Sequence, residues 1–356
     1  MKKPTLVINR KIAKRNITNM ISLCRKHQMD FRPHFKTHQS AEIGECFKEE
    51  GISKCTVSSM GMAQYFADAG WKDICVAIPL NILEIEDAAE LAKCVQLSIC
   101  VDHLDTLRAV KKVEQEMGVF IEIDTGYGRS GVLDENLKLI EWLVSEIAGS
   151  SKLSFKGFLS HTGNSYHAQN PQEGVELFEE ARKKLLHLKQ QFLQEHPQII
   201  LSLGDTPSSK HARDFSGIDE WRPGNFIFYD WMQYALKSCE IEDIALKIHC
   251  PVIGIYPDRK EVVIYGGGVH LSKEGMEYQA QKIYGWVINK DDKYQGFPVI
   301  SLSQEHGTIK ANSEFIEKTK IGDFLEIIPI HSCMMADLNA AYQTETGAVI
   351  SKYRTF

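Results

Sequence analysis

The nine cysteines are odd in number and include no Cys-x-x-Cys pair, which argues against a structural zinc knuckle and against a disulfide framework. A reducing, cytoplasmic compartment is the expectation. No apolar run approaches the roughly 20 residues that span a bilayer, and Leu6-Val7-Ile8 is too short for the apolar region of a signal peptide. Neither export nor membrane insertion is predicted. Excess positive charge is missing too: the 356 residues carry a net charge of -6, and basic clusters such as Arg10 to Arg15 are short. That leaves no electrostatic footprint for nucleic acid or an anionic membrane, and a small-molecule partner is the better expectation. No repeat of fixed period and no low-complexity or Pro/Ser-rich linker interrupts the chain.

What is present is 43% hydrophobic and 25% charged residues over a length that suits one large domain and a smaller one. From about residue 31, short β-branched runs alternate with longer amphipathic stretches, the pattern of a parallel sheet with helical crossovers. Strands are predicted near Phe31–Lys36, Cys55–Ser58, Ile74–Pro79, Val95–Val101, Val119–Asp124, Phe155–Ser160, Ile199–Leu203 and Trp221–Phe228. Helices such as Leu104–Met117 and Glu173–Glu195 are predicted between them. Eight βα units in roughly 200 residues, with no GxGxxG after the first strand, fit a closed (β/α)8 TIM barrel better than a doubly wound sheet. The barrel is expected over residues 10–235. Beyond it the helical period fades, and "KIHCPVIGIYP", "EVVIYGGG" and "GDFLEIIPI" predict a C-terminal, mainly antiparallel β domain over residues 236–356. The extended start "TLVIN" is expected to pair with that domain and adds residues 1–9 to it.

In a barrel of this kind, chemistry collects at the carboxyl ends of the strands. Lys36, in "RPHFKTHQS", ends the first predicted strand. "IDTGYGRSG", "SHTGNSY", "SLGDTPS" and "RPGNF" end the fifth to eighth. Small residues after strands seven and eight let backbone N–H groups approach a phosphate, a role that Gly204, Thr206, Gly224 and Asn225 fit. Gly-Asp-Thr-Pro and Arg-Pro-Gly are also ordinary turn sequences. A lysine at the end of a buried strand is costly to leave charged and unpaired, whereas one that condenses with an aldehyde loses its ammonium. A rim lysine in a salt bridge is the alternative reading of Lys36. With a phosphate site across the barrel mouth, the aldehyde implied is pyridoxal 5'-phosphate.

These segments carry a family resemblance. "RPHFKTH" resembles the lysine segment of the D-threonine aldolases and D-serine dehydratases, which are fold-type III pyridoxal-phosphate enzymes. "EIDTGYGRSGV", "GFLSHTG" and "WRPGNFIFYD" resemble segments shared with the alanine racemases. The resemblance implies that Lys36 bears the cofactor and takes up the substrate's α-proton. It further implies Arg129 near the cofactor's phenolic oxygen, His161 against the pyridine ring and Tyr166 facing the cofactor. Arg222 matches the place where alanine racemases put an arginine at the pyridine nitrogen. Gly224 and Asn225 are implied at the phosphate, no role is implied for His34 and His38, and a homodimer is implied for the whole.

In "PIHSCMMADL" the residues His331 and Cys333 are two apart. On an extended backbone such positions share one face, so imidazole and thiolate could meet one cation. Taken alone the pattern is weak, and a buried free cysteine explains Cys333 equally well. In metal-dependent D-serine dehydratases and their aldolase relatives, which the chain resembles, such a pair in the C-terminal domain binds the metal. Thiolate favours zinc over magnesium or calcium. The implied activity is a lyase acting on β-hydroxy D-amino acids, most simply by dehydration to a 2-oxo acid and ammonia. Retro-aldol cleavage to glycine and an aldehyde is the alternative. A racemase needs a second acid/base that the sequence does not place, and a non-catalytic pyridoxal-phosphate-binding protein has no use for a second domain. "YGGGVHLS" and "SQEHG" resemble family loops near the site, a Gly-rich hairpin turn and a solvated loop explain them equally well, and no role is assigned to them.

Overall fold

The computed structural model describes residues 2–288 and 295–354. The chain divides into two units: residues 18–224, and the start of the chain through Ile17 together with Asn225–Arg354. Among the described residues, no helix is long and apolar enough to cross a membrane.

The first unit is built on eight strands: β1 (Asp30–Phe31), β2 (Lys54–Val57), β3 (Asp73–Pro79), β4 (Gln96–Val101), β5 (Met117–Asp124), β6 (Leu153–Leu159), β7 (Ile200–Leu203) and β8 (Glu220–Trp221). They run parallel in the order β1-β8-β7-β6-β5-β4-β3-β2. Just past β1, Phe35 N–H donates to the Thr56 carbonyl at 2.8 Å and Thr56 N–H to the Pro33 carbonyl at 2.9 Å. This bridge between His34 and Thr56 brings the two ends of the sheet together, so the expected TIM-like barrel is present. Helix starts are set locally. Ser40, Ser59 and Asn170 accept the N–H groups of Ile43, Met62 and Glu173 at the heads of the helices Ala41–Glu49, Met60–Asp68 and Pro171–Phe192. Each such cap is worth about 1 kcal/mol. Cys75, Cys100, Phe120 and Leu159 form one buried cluster across β3 to β6.

Two predicted strands are much shorter than expected. The first ends at Phe31, and the eighth is only Glu220–Trp221, followed by a 3-10 turn at Asn225–Ile227. Pro33 and Pro223 lack the N–H that a ladder needs, so regular pairing stops beside each of them. Single bonds continue past that point, from Arg32 N–H to the Trp221 carbonyl at 3.0 Å and from His34 N–H to the Pro223 carbonyl at 2.9 Å. Lys36 therefore rides on a turn and not on a strand end. The helix predicted over Leu104–Met117 stops at Val110, and Met117 instead opens β5.

The second unit carries a nine-stranded sheet. It is antiparallel except where Thr5–Ile8 runs parallel to Ala341–Thr344, in keeping with the mainly antiparallel expectation. Leu246–Tyr256 is its spine, pairing with Thr5–Ile8 and Phe324–Pro329. From Val252 on it also pairs with Glu261–Tyr265, with an irregularity between Val252 and Gly254 that bends the strand. Trp231 stacks on Trp286 at 4.4 Å within a core of Ile283, Ile328 and Ile330.

Candidate active site and metal pair

Lys36 lies in the turn that follows the His34–Thr56 bridge. The turn is anchored by Phe35, whose ring is 4.4 to 5.1 Å from those of His38, Phe66, Trp71 and Phe47. An aromatic plug of this kind fixes the backbone on both sides of the lysine. His38 belongs to the plug: its Nδ1 accepts the Ser40 N–H at 3.1 Å, and burial holds its pKa down to about 3. His34 differs, since its Nδ1 lies 3.4 Å from the Lys36 backbone nitrogen.

Four other basic groups share the surroundings of Lys36. His34 is depressed well below its ordinary value, first by burial and then by the charges of Lys36 and Arg222, with His161 and Arg129 behind them. Burial, then Lys36 and Arg129, then Arg222, lowers His161 to about 3. Imidazoles that each feel three cations occupy one small space with them. Neutral rings among a lysine and two arginines make a pocket suited to an anion, such as a phosphate or an ionised phenol. Glu122 of β5 is buried nearby and accepts the Ser130 hydroxyl at 2.9 Å. Burial pushes its carboxyl up, so it is a weak counter-charge.

The remaining contacts aim these groups. His161 Nδ1 is 3.2 Å from the Gly204 carbonyl, and because a carbonyl only accepts, the proton of the neutral ring sits on Nδ1. Its ring meets Tyr127 edge-on at 5.8 Å and lies 6.3 Å from Tyr166. Arg222 is buried, with Nε donating to Ser202 Oγ at 2.6 Å and Nη2 to the Ser160 and Ser202 carbonyls at 2.6 and 3.1 Å. Gly204 has φ +155°, and a Cβ there would lie 2.5 Å from the Arg222 nitrogen. At Gly224 a Cβ would meet Thr37 Oγ1 at 2.8 Å and the His34 carbonyl at 2.9 Å. Only glycine lets these two turns pack so closely against the neighbouring chain. Thr206 is buried and opens the short helix Thr206–His211. The preceding Asp205 pins that turn by accepting the Ser165 hydroxyl at 2.8 Å and the Ser208 N–H at 2.8 Å.

In the other unit, His331 and Cys333 are not two apart on a strand, as expected. His331 is the extended cap residue of the helix Ser332–Leu338, and Cys333 lies in its first turn. The chain turning into the helix brings the two side chains together by another route. Burial would lower the imidazole, yet the charge and hydrogen bond of Cys333, then Glu274 and Asp230, raise it to about 11. Glu274 contacts the ring at Nδ1, its oxygens 3.1 and 3.0 Å away. Asn225 Nδ2 contacts Asp230 Oδ2 at 2.6 Å, Ser332 Oγ at 3.1 Å and Cys333 Sγ at 3.8 Å. The Asn225 side-chain nitrogen is thus engaged at the cysteine helix.

An imidazole and a sulfur side by side offer a soft cation two donors, and a carboxylate on a ring nitrogen is the partner that metal-binding histidines use. The donor set fits a metal with two protein ligands. Among the described residues no group of three or more His, Cys, Asp and Glu could hold one. Glu274, Asp230 and Tyr127 were not anticipated from the sequence. Glu274 is 57 residues from His331, so no local spacing announces it.

Residues 8–230 match the family described as "Alanine racemase, N-terminal domain", and residues 245–344 that described as "Putative serine dehydratase domain". The chain is 28% identical to D-serine dehydratase of Dictyostelium discoideum, over 95% of this chain and 92% of that protein. It is also 28% identical to D-threo-3-hydroxyaspartate dehydratase of Delftia sp. (strain HT23), over 96% and 93% respectively. To D-threonine aldolase of Arthrobacter sp it is 24% identical, over 92% and 85%. The solved structure of the Delftia dehydratase superposes with a TM-score of 0.92 at 25% identity, covering 100% of this chain and 98% of that one. A histidine-to-alanine mutant and a metal-free cysteine-to-alanine mutant of a D-threo-3-hydroxyaspartate dehydratase superpose with TM-scores of 0.91 at 26% identity. They cover 100% of this chain and 96% and 98% of their own, and the two mutated positions are two apart.

Proposed function

Because the chain belongs to the alanine racemase N-terminal-domain family, we propose that it is a pyridoxal-phosphate-dependent lyase of β-hydroxy D-amino acids, dehydrating them to a 2-oxo acid and ammonia with the help of zinc. The observation that carries the reading is the Lys36 turn, set among neutral His34 and His161 and the cations Arg129 and Arg222. When bound, the cofactor supplies an electron sink for the bond that breaks at Cα. Lys36 Nζ is assigned as the amine that would hold the aldehyde and as the base that would take the substrate's α-proton. Arg129 is assigned to the phenolic oxygen, His161 and Tyr166 to the ring, and Arg222 to the pyridine nitrogen. A guanidinium there, which only donates hydrogen bonds, would favour an unprotonated nitrogen. Gly204, Thr206, Gly224 and the Asn225 backbone are assigned to the phosphate.

His331 and Cys333 are assigned to the metal, which would act as a Lewis acid on the β-hydroxyl, and Glu274 orients the histidine. The spacing of this pair equals that of the histidine and cysteine altered in the D-threo-3-hydroxyaspartate dehydratase, which favours dehydration over retro-aldol cleavage. We further infer a cytoplasmic homodimer with a barrel domain over residues 10–235 and a second domain over residues 236–356 with 1–9. The test is product analysis of cofactor-loaded protein given D-serine, D-threonine and D-threo-3-hydroxyaspartate, with zinc and with a chelator. A 2-oxo acid and ammonia, lost on chelation and restored by zinc, are expected. Glycine and acetaldehyde from D-threonine would assign the retro-aldol reaction instead, and activity indifferent to chelation would remove the metal's part.

A further inference from the structure

A line of buried polar groups runs through the barrel unit to Arg222. Arg32 Nη1 donates to Asp73 Oδ1 at 2.6 Å, and Arg32 Nε donates to Glu220 Oε2 at 2.6 Å. Ser202 Oγ donates to Glu220 Oε1 at 2.5 Å, and Arg222 Nε donates to Ser202 Oγ at 2.6 Å. Arg32, Ser202, Glu220 and Arg222 are only 5%, 0%, 1% and 4% exposed. At one end Arg32, Asp73 and Glu220 line a pit of about 620 Å³. At the other end Arg222 is felt by His34 and His161 beside Lys36.

The direction of each bond follows from what its groups can do. A carboxylate only accepts, so the Ser202 proton points at Glu220 and the Ser202 oxygen is turned to receive the Arg222 Nε–H. Arg222 Nη2 donates to the Ser160 and Ser202 carbonyls, and Nη1 makes none of these bonds. The guanidinium is thereby held in one plane with one edge available. Such a network is weak as a stabilising device, because desolvation of buried charges offsets their attraction. Its four charges alternate in sign and cancel, and its product is a fixed orientation.

We propose that Glu220, acting through Ser202, is a positioning residue that fixes Arg222 against the cofactor ring and so sets how readily the bound cofactor takes up a proton. The proposal rests on the reading that Lys36 holds pyridoxal phosphate with Arg222 at its ring. Glu220→Gln keeps the side chain's size but offers one acceptor where the relay needs two. Its amide NH2 faces either the Arg32 Nε–H, opposing two donors, or Ser202, whose proton then loses its acceptor.

The test compares parent, Glu220→Gln, Ser202→Ala and Asp73→Asn proteins loaded with pyridoxal phosphate and titrated by absorbance through the neutral and alkaline range. Borohydride reduction with peptide mass analysis measures cofactor on Lys36. Removing the negative charge behind Arg222 is expected to lower the apparent pKa of the bound chromophore by about half a unit or more in Glu220→Gln. Ser202→Ala is expected to shift it as well, and because it removes a single oxygen it carries the test if the charge change prevents folding. Asp73→Asn still accepts from Arg32, lies farther along the line and is expected to leave the chromophore unchanged. No shift in Glu220→Gln and Ser202→Ala, or an equal shift in all three, overturns the proposal while the cofactor reading stands. A parent protein that takes up no cofactor on Lys36 overturns that reading, and the proposal with it.

Discussion

His38 sits two residues from Lys36, is 1% exposed, and packs 4.4 Å from Phe35 and within 5.9 Å of Phe47 and Phe66. Burial depresses its pKa from 6.5 to about 3, while in the unfolded chain it titrates near the ordinary value. Between those two values the unfolded state binds the extra proton. The stability His38 contributes is therefore complete above pH 6.5 and is lost as the pH falls toward 3. Each pH unit below the unfolded value costs about 1.4 kcal/mol, so at about pH 5.5 the loss from this one residue is about 1.4 kcal/mol. His38→Phe keeps an aromatic ring in an aromatic plug and removes the titration. It also removes the acceptor for the Ser40 N–H, a loss of about 1 kcal/mol that is independent of pH. The variant should thus be less stable near neutrality and less sensitive to acid. Urea unfolding at about pH 7.5 and about pH 5.5, followed by tryptophan fluorescence to which buried Trp71 contributes, measures both. The parent is expected to lose about 1.4 kcal/mol more than the variant between the two conditions. Equal losses would refute the assignment of His38 as a neutral packing residue.

Two further substitutions probe the two centres separately. Gly204→Ala places a methyl 2.5 Å from the Arg222 nitrogen at φ +155°; a destabilisation of about 3 kcal/mol and reduced cofactor uptake are expected, read from the denaturant midpoint and the cofactor absorbance. Glu274→Gln leaves a hydrogen-bonding partner for His331 but removes its charge. Zinc affinity should fall about 10- to 100-fold, measured by competition with a chromophoric chelator, while cofactor uptake is unchanged.

The barrel was legible because its middle strands are uniform. Runs such as Ile74–Pro79 and Val119–Asp124 lie within the strands Asp73–Pro79 and Met117–Asp124, and buried parallel strands carry a continuous apolar signal. The first and last strands were overextended because Arg32-Pro33-His34 and Arg222-Pro223-Gly224 follow apolar residues, and a proline's missing N–H ends a ladder without ending the hydrophobic pattern. At the site, Lys36 stood out by residue type and position, Arg129, His161 and Arg222 by family resemblance, and the structure brings those four into one electrostatic neighbourhood. The geometry of His331 and Cys333 was misread as extended. Nothing in "PIHSC" distinguishes a strand continuing through Ser332 from a strand that caps a helix there.

The groups that went unnoticed have a common cause. Glu220 and Ser202 meet because β8 and β7 align them as neighbours in register, and Asp30 is the matching neighbour on β1. In the sequence Ser202 was one polar residue between two leucines in "LSLGD", and Glu220 one of several charged residues in "DEWRPG". A strand's alternation says which face a residue takes but not which residue lies beside it on the next strand. Buried polar side chains must find partners across strands, so their pairing depends on register and is absent from any single segment. That is why the lysine and arginines could be read from motifs that resemble a family's, while Ser202 and Glu220, which bond in line to Arg222, could not.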